Sequence, residues 1–138
     1  MELNCFHMSL PCKSIEATVS YYSEQLGIAI GRRSDNWVDL NLFGHQLTFV
    51  ESNNFEFQFP FYSLDEEDLP SFHFGVVLTN DAWEKIYDQI NRQWSNDTIL
   101  KRTFFKDKDG EQNTFIVKDP NGYYLEFKTF KSPSHIFL

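Results

Sequence analysis

Cysteine is scarce. The 138 residues hold two, Cys5 and Cys12, with no CxxC spacing between them. That excludes a disulfide-stapled scaffold and makes a cysteine metal site a weak reading; in a reducing compartment both are free thiols. Positive charge is short as well. Twelve Lys and Arg face twenty Asp and Glu, for a net charge of −8. Without a basic stripe the chain is a poor match for nucleic acid, whose phosphates demand counter-charge. No apolar run approaches the roughly 20 residues of a membrane span. The opening "MELNCFHMSLPC" lacks the basic start and long apolar stretch of a signal peptide, so a cytoplasmic location is expected. There is no glycine-rich phosphate loop and no nucleophile elbow, which removes the commonest nucleotide and serine-hydrolase signatures.

Aromatic residues, by contrast, are plentiful. Phenylalanine alone accounts for 15 positions. With 41% hydrophobic and 23% charged residues, the length suits one globular domain with a substantial core. The phenylalanines fit either a large aromatic interior or an apolar pocket, and composition does not separate the two.

The order of elements repeats. Residues 3–10 alternate as a strand. "SIEATVSYYSEQLG" then places Ile15, Val19, Tyr22 and Leu26 on one helical stripe, with Ser14 as cap and Gly27 at the C-terminus. Strands are expected at about 28–33, 36–43 and 45–51, the last two joined through Phe43-Gly44. In the second half 71–78 reads as a strand. "DAWEKIYDQINRQW" follows as a helix with Trp83, Ile86, Tyr87, Ile90 and Trp94 inward and Asp81 with Glu84 as a capping box. Strands come again at about 99–105, 112–118 and 123–130. Each half therefore reads strand, helix, strand, strand, strand, and "FHM" at 6–8 echoes "FHF" at 72–74. The expected division is module one at about 1–52, an aromatic flap and solvated acidic linker at about 53–70, module two at about 71–130 and a tail at 131–138.

Strand parity sorts the faces. Phe6 and Met8 oppose His7. Phe72, Phe74 and Val76 oppose His73. Leu47 and Phe49 oppose Gln46 and Thr48, and Leu125 and Phe127 oppose Glu126. If the apolar rows pack on helices, the other face gathers His7, His73, Glu126 and Gln46. Two imidazoles and a carboxylate match the facial triad that holds a divalent metal and leaves positions open. The plainer alternative is a set of satisfied or exposed histidines, and spacing alone leaves both standing.

"FHMSLPCKSIEATVSYYSEQLG", "FHFGVVL" and "FIVKDPNGYYLEF" together resemble the vicinal oxygen chelate superfamily, which includes glyoxalases, bleomycin-resistance proteins and extradiol dioxygenases. The similarity spans nearly all of 1–130. More narrowly, "WVDLNLFGHQ" and "GEQNTFIVKDPNGYYLEFK" look like short bacterial proteins described as extradiol-type dioxygenases. The resemblance implies an α+β fold: two βαβββ modules forming a cupped eight-stranded mixed sheet with helices outside. It implies His7, His73 and Glu126 as metal ligands, Fe(II) being favoured over Mn, Zn or Ni. Gln46 appears at the position where glyoxalase I-like members carry Glu and is a possible fourth ligand. His45 and Tyr124, and less clearly Tyr123, are candidates for handling protons.

The function this implies is a metal-dependent dioxygenase acting on a small catecholic or vicinal-oxygen substrate, in a homodimer. The alternatives are a glyoxalase I-like isomerase or thiol transferase, and a non-catalytic small-molecule binder. Gly110, Glu111 and Gln112 read as a cup mouth or as a plain hairpin turn. Arg32 and Arg33 read as an anion contact or, more plainly, as a solvated strand end. His135 carries no ligand role, and the apolar tail Ile136-Phe137-Leu138 could pack on a partner subunit.

Overall fold

A computed structural model describes residues 4–93 and 98–138. Leu3 and Trp94, expected in the first strand and second helix, lie outside the described residues. The chain divides into two compact units between Phe57 and Gln58.

In the first unit β1 (His7–Cys12), β2 (Ala29–Arg33), β3 (Trp37–Leu42) and β4 (His45–Glu51) form a sheet of order β1-β4-β3-β2. β1 runs parallel to β4; the other pairs are antiparallel. The helix α1 (Ile15–Val19) begins as expected at Ser14, whose hydroxyl accepts from the Ala17 N–H. Glu51, at the end of β4, also accepts from the Ile15 N–H. From Ser20 to Gln25 the helix widens into π-helical turns, and the Leu26 N–H reaches back to the Tyr21 carbonyl. The wider turn brings two consecutive tyrosines inward: Tyr21 and Tyr22 are both buried, their rings edge-on at 5.3 Å. Gly27, at φ +71°, then closes the helix in the left-handed conformation the sequence predicts. Tyr22 packs on Phe49, and Leu10, Val38, Leu40 and Leu47 complete a buried apolar face.

The second unit repeats the plan. β7 (Phe74–Val77), β8 (Thr98–Phe104), β9 (Gln112–Lys118) and β10 (Tyr124–Phe130) take the order β7-β10-β9-β8, again with one parallel pair, β7 with β10. α2 (Asn80–Gln93) lays Trp83, Ile86 and Ile90 on the sheet. The Trp83 indole donates to the Phe127 carbonyl at 2.8 Å, and Trp83 and Tyr87 both pack on Phe115. The expected Asp81–Glu84 capping box does not form. Thr79 caps instead, accepting from the Ala82 N–H, while Glu84 accepts from the side chain of Asn80. The helix starts one residue earlier than the sequence reading, which places Asp81 inside its first turn.

The expected α+β class and the strand–helix–strand–strand–strand order hold in both units. Bounds shift: β1 starts and ends later than the expected 3–10, and β7 is shorter than the expected 71–78 and begins after His73. The stretch expected as a solvated linker contains a hairpin, β5 (Phe61–Leu64) and β6 (Glu67–Pro70), within the second unit. Its turn and the start of β6 carry the acidic run, with Asp65 and Glu66 in the turn at positive φ. Leu69 is buried against Phe104 and Ile116, and Leu64, Leu100 and Tyr124 pack around them. Arg102 on β8 pairs with both Asp65 and Glu67, at 3.3 and 3.6 Å. A buried leucine and a shared arginine turn the acidic run into part of the fold.

Candidate functional site

β10 alternates strictly. Leu125 and Phe127 are fully buried under α2, so Tyr124, Glu126 and Lys128 point to the other face. The hairpin packs on one part of that face, where Ile116 and Tyr124 lie, and β7 borders the other. There a cavity of about 190 Å³ is lined by His73, Gly75, Val77, Glu126 and Lys128 among others. Gly75 stands opposite Glu126 in register, and a Cβ there would run into the Glu126 backbone carbonyl. Glycine is therefore what lets β7 lie this close to β10 at the carboxylate.

His73 precedes β7. Its Nδ1 lies 2.8 Å from the Pro70 carbonyl, which can only accept, so Nδ1 carries the proton and donates. That fixes the ring and leaves the Nε2 lone pair available, the arrangement found behind metal-bound imidazoles. Nε2 lies 3.9 Å from Glu126 Oε1. Lys128 Nζ lies 3.6 Å from the same oxygen. The structure thus brings together two of the predicted ligands, and Glu126 alternates with apolar neighbours because they pack on a helix while it turns to the opposite face.

His7 is exposed on β1 in the first unit, paired in register with Gln46. Among the described residues no group of three or more His, Cys, Asp or Glu side chains stands together as a metal site. The donor chemistry of His73 and Glu126 suits a divalent cation, and these two make up two thirds of a facial triad.

Register corrects the position assigned to Gln46. Phe74 pairs with Leu125 in the second unit and Met8 with Leu47 in the first. The counterpart of Glu126 is therefore Thr48, and Gln46 corresponds to Tyr124. Counting from the family pattern alone misplaced the match by one inward position. Nor is Thr48 available: its hydroxyl donates to Asp39 Oδ1 at 2.7 Å. Asp39, on β3, is buried and also accepts from Gln46 Nε2 and Arg32 Nε, each at 3.2 Å. Burial pushes its carboxyl pKa up, but the hydrogen bonds from Thr48, Arg32 and Gln46 and the Arg32 charge more than offset this, so it titrates below the usual aspartate value. An ionised carboxylate only accepts, so the Gln46 nitrogen must face Asp39 and its oxygen must face away. Asp39 was missed in the sequence, although "WVDLNL" shows it alternating with Val38 and Leu40. Arg32 belongs to this knot and also lies over the Trp37 ring at 5.6 Å.

The remaining candidates are structural in their contacts. His45 Nδ1 accepts from the Phe6 N–H at 3.1 Å, tying β4 to the entry of β1. Tyr124 presents its ring to Phe61, edge-on at 5.8 Å, and to the Leu69 cluster. Tyr123 is buried beside Phe72 and Phe74. Glu111 binds the Asp107 N–H and Lys131, and His135 accepts from the Gly110 N–H, so loop and tail hold each other.

Comparison with known proteins agrees with the fold. The model of the glyoxalase/bleomycin resistance protein/dioxygenase superfamily matches residues 5–127, and the chain belongs to that superfamily. A glyoxalase/bleomycin resistance protein/dioxygenase from Alicyclobacillus acidocaldarius superposes with a TM-score of 0.81 at 22% identity, covering 97% of this chain and 96% of that one. The fosfomycin resistance protein FosX from Listeria monocytogenes gives 0.65 at 11% identity, covering 98% of each chain. A glyoxalase/bleomycin resistance protein/dioxygenase from Nocardioides gives 0.66 at 12%, covering 94% of this chain and 85% of that one. At these identities the likeness is one of fold. No curated protein sequence matches the chain. No helix among the described residues is long and apolar enough to cross a membrane.

Proposed function

We propose that the chain is a divalent-metal enzyme that binds a small substrate through two neighbouring oxygens, with extradiol-type oxygenation of a catecholic ring as its reaction. The observation that carries this reading is the His73–Glu126 pair: an imidazole with Nδ1 held by the Pro70 carbonyl and Nε2 3.9 Å from a carboxylate, at an open cavity. His73 Nε2 and a Glu126 oxygen would hold the cation, and His7 is the proposed third ligand. Fe(II) is the favoured ion. A bound cation of this kind supplies Lewis acidity and a template for adjacent substrate oxygens. The chain does the rest. Pro70 sets the tautomer of His73, Gly75 admits β7 to the carboxylate, and the β5–β6 hairpin packs against Tyr124. Tyr124 serves as an aromatic wall in this reading, and a homodimer is the proposed assembly.

The test is elemental analysis of untagged protein purified without oxygen, beside His73→Ala and His7→Ala. About one iron per chain, lost in both variants, is the expected result; oxygen uptake with catechols would follow. Nickel or zinc would turn the reading to isomerase or thiol-transfer chemistry. Protein that takes up no metal even on reconstitution would overturn it in favour of a binding cup.

A further inference from the structure

Lys128 is the side chain in the His73–Glu126 cavity that metal binding does not explain. It follows Glu126 by one inward position on β10, and its ammonium lies 3.6 Å from the oxygen that a cation would need. A positive charge beside a metal ligand opposes the metal: at about 4 Å two unit charges interact by about 1 kcal/mol even in water, and by more where water is excluded. The fold does not demand a lysine there. By the same register that pairs Thr48 with Glu126, its counterpart in the first unit is Val50. The side chain is two-thirds covered and lies over the Phe130 ring at 5.7 Å, so its ammonium is directed along the sheet face instead of extending into bulk water.

What a cation at this point supplies is a partner for an anion. The chain carries a net charge of −8, so its overall field repels negatively charged ligands and an anionic substrate needs local positive charge to enter. Glu126 alone would leave the cavity negative. With Lys128 the two cancel, and an added divalent ion leaves a positive cavity of about 190 Å³, room for a small molecule. We propose that Lys128 selects a substrate bearing an anionic group, such as a carboxylate, beside its two chelating oxygens. With a cation held by Glu126, the Lys128 ammonium would be free to pair with the substrate's carboxylate instead of that of Glu126. This deepens the metal-enzyme reading and rests on it.

The experiment uses zinc-loaded protein, which binds diols without oxidising them, and titrates two probes by calorimetry: catechol and its carboxylated analogue protocatechuate. The wild type should prefer the carboxylated probe by about tenfold or more. In Lys128→Met the two should bind equally, and Lys128→Arg should restore the preference. Zinc itself should bind Lys128→Met about fivefold more tightly, because the competing charge is gone. Equal binding of the two probes by the wild type, or a preference that survives in Lys128→Met, overturns the role of Lys128 and leaves the metal reading intact. Failure of the wild type to bind zinc or either diol overturns both. Circular dichroism on each variant separates loss of selectivity from loss of fold.

Discussion

Removing the Asp39 carboxylate should destabilise the first unit, and the size of the effect follows from its contacts. Asp39→Ala deletes three hydrogen bonds at once, from Thr48, Gln46 and Arg32. The Arg32 side chain is 78% exposed, so its ion pair contributes at most about 1 kcal/mol. Bonds from Thr48 and Gln46 to a buried charge contribute about 1.5 to 3 kcal/mol each, less what both half-buried donors recover by turning to water. The net loss should be about 2 to 4 kcal/mol, or roughly 10 °C in Tm for a chain of this length. Asp39→Asn keeps the shape and isolates the charge. The native pKa is depressed, so the carboxylate's contribution is fully present above the unfolded value of about 3.9 and is lost as pH falls through the native one. Urea unfolding should therefore show a gap between wild type and Asp39→Asn that is constant near neutrality and narrows below about pH 4. A change under about 0.5 kcal/mol in Asp39→Ala, or a gap indifferent to acid, would show that the carboxylate does not hold this cluster together.

Besides the metal-content and Lys128 experiments, two structural changes have definite expected outcomes. Gly75→Ala should force β7 away from Glu126, because the added methyl meets backbone that cannot rotate aside; a loss of about 3 kcal/mol or more is expected in denaturant unfolding. Arg102→Ala should loosen the hairpin turn, which would keep the Asp65 bond from the Phe105 N–H but lose the two ion pairs. Amide exchange across 61–70 should rise while α2 stays protected, and added salt should reproduce part of the effect in the wild type.

Much of this was legible in the sequence because period-two alternation and helical stripes survive burial intact. β9 falls at 112–118 as expected, and Glu126 could be assigned a face from Leu125 and Phe127 alone. Local signals failed where a tertiary contact outweighed them. Acidic residues 65–68 look like a solvated linker until Arg102, far along the chain, supplies their counter-charge. Thr79 looks ordinary until the helix begins beside it. The polar knot around Asp39 escaped notice because its members come from three strands, and only the β3–β4 register puts Asp39 opposite Thr48. Register also explains the misplaced Gln46: parity identifies a face, but not which position along it faces which partner.

The duplicated plan therefore hides a division of roles. Each unit places a histidine at the edge of a four-stranded sheet and a polar residue on the strand beside it. In the first unit the carboxylate lies on the third strand, where a threonine, a glutamine and an arginine satisfy it. In the second it lies on the closing strand, accompanied by an imidazole and a lysine. A new carboxylate grafted at Thr48 would have to break the Asp39 knot before it could ligate anything. One copy of the module has committed its polar groups to holding itself together, which leaves the other copy free to change its chemistry by single substitutions on β10.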